Sequence, residues 1–142
     1  MSAAAAGLHR QSGSAPLSLT LGLGLMVIPV LLLVLTLPTW EARTVDARDA
    51  ASAAARTLVT SDSWSDGVVS ADQLVQEIGA TDGVGGDQIS VSLEGSLSRG
   101  AEVSAKVTVL IPAAQIPLIG AVGSLHYSAT STQLVDEYRS IG

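Results

Sequence analysis

The chain has 142 residues, 47% of them apolar and 14% charged, with a net charge of −6 and no cysteine. That length leaves room for one modest domain once a tail or anchor is subtracted. The acidic balance repels phosphate backbones and argues against nucleic acid as a partner, and the missing cysteines exclude disulfides, Cys nucleophiles and Cys-ligated metals.

The charge is unevenly placed. No acid precedes Glu41, and Arg10 is the only charged side chain in the first 40 residues. Leu17 to Leu37 is an ion-free run of 21 residues. As a helix it would span about 31 Å, close to the roughly 30 Å of a hydrocarbon core. In lipid the backbone must bond within the segment, so helix is the expected state. A soluble core helix would rarely stay apolar on every face for so long. A cleavable signal has a shorter apolar region, about 7–15 residues, and then a small-x-small site; Leu37-Pro38-Thr39-Trp40-Glu41 offers none. The run reads as an uncleaved anchor in membrane lipid.

Pro29, in mid-run, lacks an N–H and should kink the helix. Pro38 falls at the water boundary, and Trp40 lies where an interfacial indole would sit, packing against its own helix being the other reading. Ser18 with Gly22, and Thr20 with Gly24, are small residues four apart, a spacing that lets membrane helices approach closely. The positive-inside rule, in which acids count little, would favour the C-terminal flank with Arg43, Arg48 and Arg56 inside over the tail with Arg10; against that, the C-terminal part is a whole domain whose long polar helix resembles an exported stalk.

Helix is expected to continue from Thr39 to about Thr60. Trp40, Thr44, Ala47, Ala51, Ala54 and Leu58 recur every three or four residues and form a stripe of mostly small side chains suited to close packing. Arg43 and Asp46, three apart, are placed to pair. Ser61 to Gly67 reads as a turn-rich break. A short second helix follows, with Ser70 as N-cap, Gln73 completing a capping box, an apolar face of Leu74, Val75 and Ile78, and Gly79 at its end. Thr81 to Asp87 is a Gly/Asp-rich loop.

The period then changes to two. Ile89, Val91 and Leu93 alternate with Ser90, Ser92 and Glu94. After a turn at Gly95 to Gly100, Val103, Ala105, Val107, Val109 and Ile111 alternate with polar residues, which predicts a β-hairpin with one buried face. A third strand is expected from Leu125 to about Leu134. Pro112 to Ser124, read as a loop between strands, is unusually apolar. Ile116, Pro117, Leu118 and Ile119 are its candidate contact residues, for a partner or a membrane surface, against the alternative of a crossover covering the sheet.

No catalytic, cofactor-binding or metal residues emerge. His9 and His126 are isolated, no nucleophile elbow or metal-spaced His pair occurs, and Asp82 to Asp87 lacks the regular acids and distal Glu that calcium needs. The fold class expected is α+β: a long N-terminal helix, membrane-spanning and then amphipathic, a short second helix and an antiparallel sheet of about three strands. The divisions are a tail (1–16), a transmembrane helix (17–38), a helical stalk (39–80) and a β-rich domain (81–142).

The layout resembles the TadE/TadF-like pseudopilins, especially their actinobacterial forms. The pieces are Gly13-Ser14-Ala15 before the run, Pro29 followed by Val30-Leu31-Leu32-Leu33-Val34-Leu35, the helix Ala47-Arg48-Asp49-Ala50-Ala51 to Ala54-Ala55-Arg56, the strand Ala105-Lys106-Val107-Thr108-Val109, the segment Ile116-Pro117-Leu118-Ile119-Gly120, and the ending Val135-Asp136-Glu137-Tyr138-Arg139-Ser140. Together they cover most of the chain. The resemblance implies a non-enzymatic subunit of a Flp (tight-adherence) pilus or secretion system. Its tail would be cytoplasmic and cut by a prepilin peptidase near the start of the run, and its head extracytoplasmic. It would have other pilus or secretion subunits as partners, in homo- or hetero-oligomers. Many members carry a Glu early in the run; this chain has none between Leu17 and Leu37, which removes a carboxylate–amine pairing with a neighbouring subunit. The alternative function is a membrane-tethered envelope scaffold or binding domain unrelated to pili.

Overall fold

The computed structural model describes residues 14–138. Most of the N-terminal tail, with His9, Arg10 and Gly13, and residues 139–142, with Arg139 and Ser140, lie outside the described residues. The element order is α1 (Ser14–Thr60), α2 (Trp64–Thr81), β1 (Ile89–Gly95), β2 (Glu102–Ile116) and β3 (Gly120–Leu134). The class is α+β, with a three-stranded antiparallel sheet in the order β1-β2-β3.

A single 47-residue helix carries both the apolar run and the stripe beyond it, and runs α-helical through Pro29 and Pro38. Its two halves have opposite surroundings. From Leu17 to Leu37, large apolar side chains stand exposed, from Leu25 at 77% to Leu37 at 47%, except along the strip of Leu32 and Thr36. Beyond Trp40 the helix becomes one wall of the core. Ala47, Ala51, Ala54 and Leu58 are fully buried, as their spacing predicts, and so are Ala50 and Ala55. These two extra alanines widen the stripe, because α1 faces both the sheet and α2. The core is small-sided throughout: Ala47 to Ala55 pack with Ala71, Val75, Val84, Ile89, Ala105, Val107, Val109 and Ala129. A second cluster joins Leu58, Val103 and Val135.

The second helix starts six residues earlier than Ser70. Its N-cap is Ser63, whose extended backbone lets Oγ accept from the Asp66 N–H (3.2 Å) while donating to Asp66 Oδ2 (2.8 Å). That reciprocal pair satisfies an orphan donor at the helix start. Ser70 and Gln73 therefore lie inside α2, and the break shrinks to residues 61–63. Gly79 is not the terminus either. It is buried inside α2, where an added Cβ would stand 3.1 Å from Ile89 Cγ2, so its use is close packing on the sheet.

In β2, Val103, Ala105, Val107, Val109 and Ile111 are all buried, the alternation expected of a strand with one face on the core. The outer face is wet, and there Thr108 and Ser128, cross-strand partners, share a hydrogen bond of 2.9 Å. The principal correction concerns Pro112 to Ser124. It is not a loop. The β2–β3 ladder continues through Pro112↔Ser124, Ala114↔Val122 and Ile116↔Gly120, leaving only Pro117, Leu118 and Ile119 as the turn. A proline is tolerated there because β1 pairs no further than Val109, so β2 is by then an edge.

Candidate functional site

Two surfaces carry the expected functional residues. The first is the bare half of α1. Ser18, Thr20, Gly22 and Gly24 all lie on it, and a Cβ at Gly22 or Gly24 would meet nothing within 4 Å. Among the described residues nothing fills the space above these glycines. The structure separates the two small pairs, since positions two apart on a helix point to nearly opposite sides. The Thr20/Gly24 pair lies in a shallow apolar groove flanked by Leu17, Leu21, Leu25 and Ile28, whereas Ser18 and Gly22 do not line it. Thr20 Oγ1 donates to the Pro16 carbonyl at 2.7 Å, so its hydroxyl is satisfied within the helix.

The cost of leaving this half in water is large. Fully burying one such side chain is worth about 1.5–3 kcal/mol, and fourteen large ones between Leu17 and Leu37 are exposed by 47% or more. The helix is long and apolar enough to cross a membrane, and little of its most apolar stretch is covered by the rest of the chain. Among the described residues α1 thus supplies one candidate membrane span, near the N-terminus.

The second surface is the tip of the β2–β3 hairpin, where Ile116, Pro117, Leu118 and Ile119 come together. Ile119 N–H donates to the Ile116 carbonyl at 3.2 Å, closing a β-turn with Pro117 at its second position and Leu118, at φ 72°, at its third. That is the type II pattern, whose third position normally holds glycine. Leu118 is fully exposed and Ile119 is 74% exposed, with Val122 and Leu125 also bare on the returning strand.

Trp40 joins the two surfaces. Its Nε1–H donates to the Pro112 carbonyl at 2.7 Å, and the ring is half-buried. The indole N–H is thus held by the head, an outcome that neither an interfacial belt nor packing on its own helix anticipates. Nearby, Arg48 Nε donates to the Tyr127 hydroxyl at 3.1 Å. Arg43 Nη1 is buried with no hydrogen-bond partner among the described residues. Asp46, its expected partner, has a pKa raised chiefly by burial, with Asp82 and Asp49 adding to the rise and Arg43 opposing it. Attraction to Arg43 does not offset the desolvation of the carboxylate.

Among the described residues no cluster of three His, Asp or Glu side chains could hold a metal ion. Leu118's backbone conformation and Trp40's partner had no signal in the sequence; the first needs the turn register and the second a contact 72 positions away. Comparison with family models, with characterised proteins and with solved structures gives no match for this chain.

Proposed function

We propose that this protein is a membrane-anchored, pseudopilin-like subunit that works by assembly in a Flp pilus or related secretion system, with no chemistry of its own. The observation that carries the reading is α1: one unbroken helix, bare and apolar for its first half and built into the head's core for its second. Such a helix couples the head to the bilayer without a flexible linker, so a force or contact on one half is transmitted to the other. The small-residue groove at Thr20 and Gly24 supports packing against another membrane helix. In this reading the N-terminal tail is cytoplasmic and the head extracytoplasmic, with every acid on the head's side.

Absence of a Glu in the apolar run favours a second reading, a tethered envelope scaffold outside any fibre. Affinity purification from mild detergent separates the two. Recovery of a secretion ATPase or polytopic pilus membrane proteins with the full-length chain supports the first; a monomer without them supports the second. Full-length protein that stays in solution after membranes are removed, with no detergent present, overturns both.

A further inference from the structure

The head and the bare helix are connected by geometry that fixes how deep the hairpin reaches. β2 runs antiparallel to α1: Val103 clusters with Leu58, and the Pro112 carbonyl accepts from Trp40. Between those two contacts α1 advances about 27 Å at 1.5 Å per residue, and β2 about 30 Å at 3.3 Å per residue. The two axes are therefore nearly aligned, with opposite chain directions. From Pro112 the ladder continues to Ile116, about 13 Å further, which corresponds to about nine residues of helix. The turn thus lies beside the segment near Leu32.

Burial on α1 agrees. Thr36, one turn before Trp40, is 2% exposed, although Leu35 and Leu37 beside it are 49% and 47% exposed. Leu32, on the same face one turn further, is half-buried. Thr36 does not need water there, because its hydroxyl donates to the Leu33 carbonyl at 2.9 Å. The covered strip runs into the apolar run, so any bilayer crossed by Leu17–Leu37 also meets the hairpin tip.

The tip is suited to that position. No charged side chain occurs between Lys106 and Asp136. Leu118, held in the left-handed region, projects its side chain clear of the chain, with Ile119 beside it. Depth has a limit, however. Past Leu110, which donates to the Gln88 carbonyl, the hairpin is a two-stranded ribbon with β1 no longer alongside. Open backbone edges are excluded from hydrocarbon but tolerated among headgroups. A turn beside Leu32 sits about 7–8 Å inside the end of the run at Leu37; the part of α1 from Ser14 to Leu31, about 27 Å of helix, is long enough to span the hydrocarbon by itself, which leaves the covered stretch from Leu32 in the interfacial layer.

We propose that the β2–β3 turn is a second membrane contact, with Leu118 and Ile119 seated at the headgroup–acyl boundary of the leaflet next to the head. The inference rests on the reading that α1 crosses the bilayer. Two attachment points fix the head's tilt and rotation on the membrane, which one helix alone leaves free.

The chain has no cysteine, so single labels are simple to place. Full-length Leu118→Cys, Leu25→Cys and Ser92→Cys variants, labelled with an environment-sensitive fluorophore, are reconstituted into phosphatidylethanolamine/phosphatidylglycerol vesicles. Aqueous iodide should quench the label at 118 several-fold less than at the exposed sheet position 92, and a nitroxide high on the lipid acyl chains should quench it strongly. Iodide access at 118 equal to that at 92, with 25 protected, overturns the tip contact and leaves the span standing. Protection at 118 without nitroxide quenching also overturns it, because protein and not lipid then covers the turn. Iodide access at 25 overturns the span, and the tip contact with it.

Discussion

Gly67 offers a test in which two physical effects predict opposite signs. It lies in the first turns of α2, where helix propensity alone says that Gly67→Ala should stabilise by about 0.5–1 kcal/mol. The structure says otherwise. A Cβ at Gly67 would stand 2.5 Å from Leu58 Cδ1 and 3.1 Å from both Cβ and Oγ of Ser61. Leu58 cannot swing away cheaply, because it is fully buried among Val103, Val135, Val59, Trp64 and Leu97. Overpacking of this kind costs about 1–3 kcal/mol. The net expectation is a loss of up to about 2.5 kcal/mol, or up to about 10–20 °C in Tm for a head of this size. Urea unfolding of the full-length chain in detergent micelles, followed by circular dichroism, measures it. Leu58→Ala alone should cost about 2–5 kcal/mol, but in the double variant the new methyl enters the vacated space. The two losses should therefore fall short of additive by about 1 kcal/mol. An increase in stability for Gly67→Ala, or strict additivity in the double variant, refutes the packing argument.

Other sites give further tests. Gly95, at φ 122°, has no room for a side chain, since a Cβ would collide with the Glu102 carbonyl oxygen. Gly95→Ala should lose about 3 kcal/mol in the same urea assay, and a loss below about 1 kcal/mol would show that the β1–β2 turn can relax. Trp40→Phe removes the donor to Pro112 and should cost about 1 kcal/mol. Amide exchange should rise more in residues 113–123 than in 103–109; a uniform rise would mean that the indole does not hold the hairpin to α1. Asp46 has its folded pKa raised above the ordinary 3.8, chiefly by burial. The folded state therefore binds the proton more tightly than the unfolded chain, and ionisation at neutral pH works against folding. Asp46→Asn should be more stable than the parent at pH 7, with the gain shrinking as pH falls through the raised pKa and gone below about 3.8. Unfolding curves across that range that show no narrowing would contradict the assignment.

Much of the head was legible because local periodicity and burial agree. The alternation from Val103 to Ile111 and the three-and-four spacing from Ala47 to Leu58 each describe one apolar face, and each face is buried. The misread segments share another cause. Ser70 with Gln73 and Ser63 with Asp66 are both capping-box patterns, and only the second lies at a helix start. Pro112 and Pro117 look like residues of one loop, yet one sits on an edge strand and the other makes the turn.

The amino-acid order by itself determined where the ion-free apolar run lies, that every acid follows it, and which faces of the later helix and strands seek a core, because these depend on composition and on spacing within a few residues. Tertiary structure alone decided that the hairpin runs down α1 as far as the apolar run, that Trp40 is bonded to Pro112, and that Leu118 stands bare at the turn. The first two outcomes come from helix–sheet contact between residues some 70 or more positions apart, so no short window of sequence contains both partners; the third follows from the β2–β3 register that the Ile116–Ile119 turn closes.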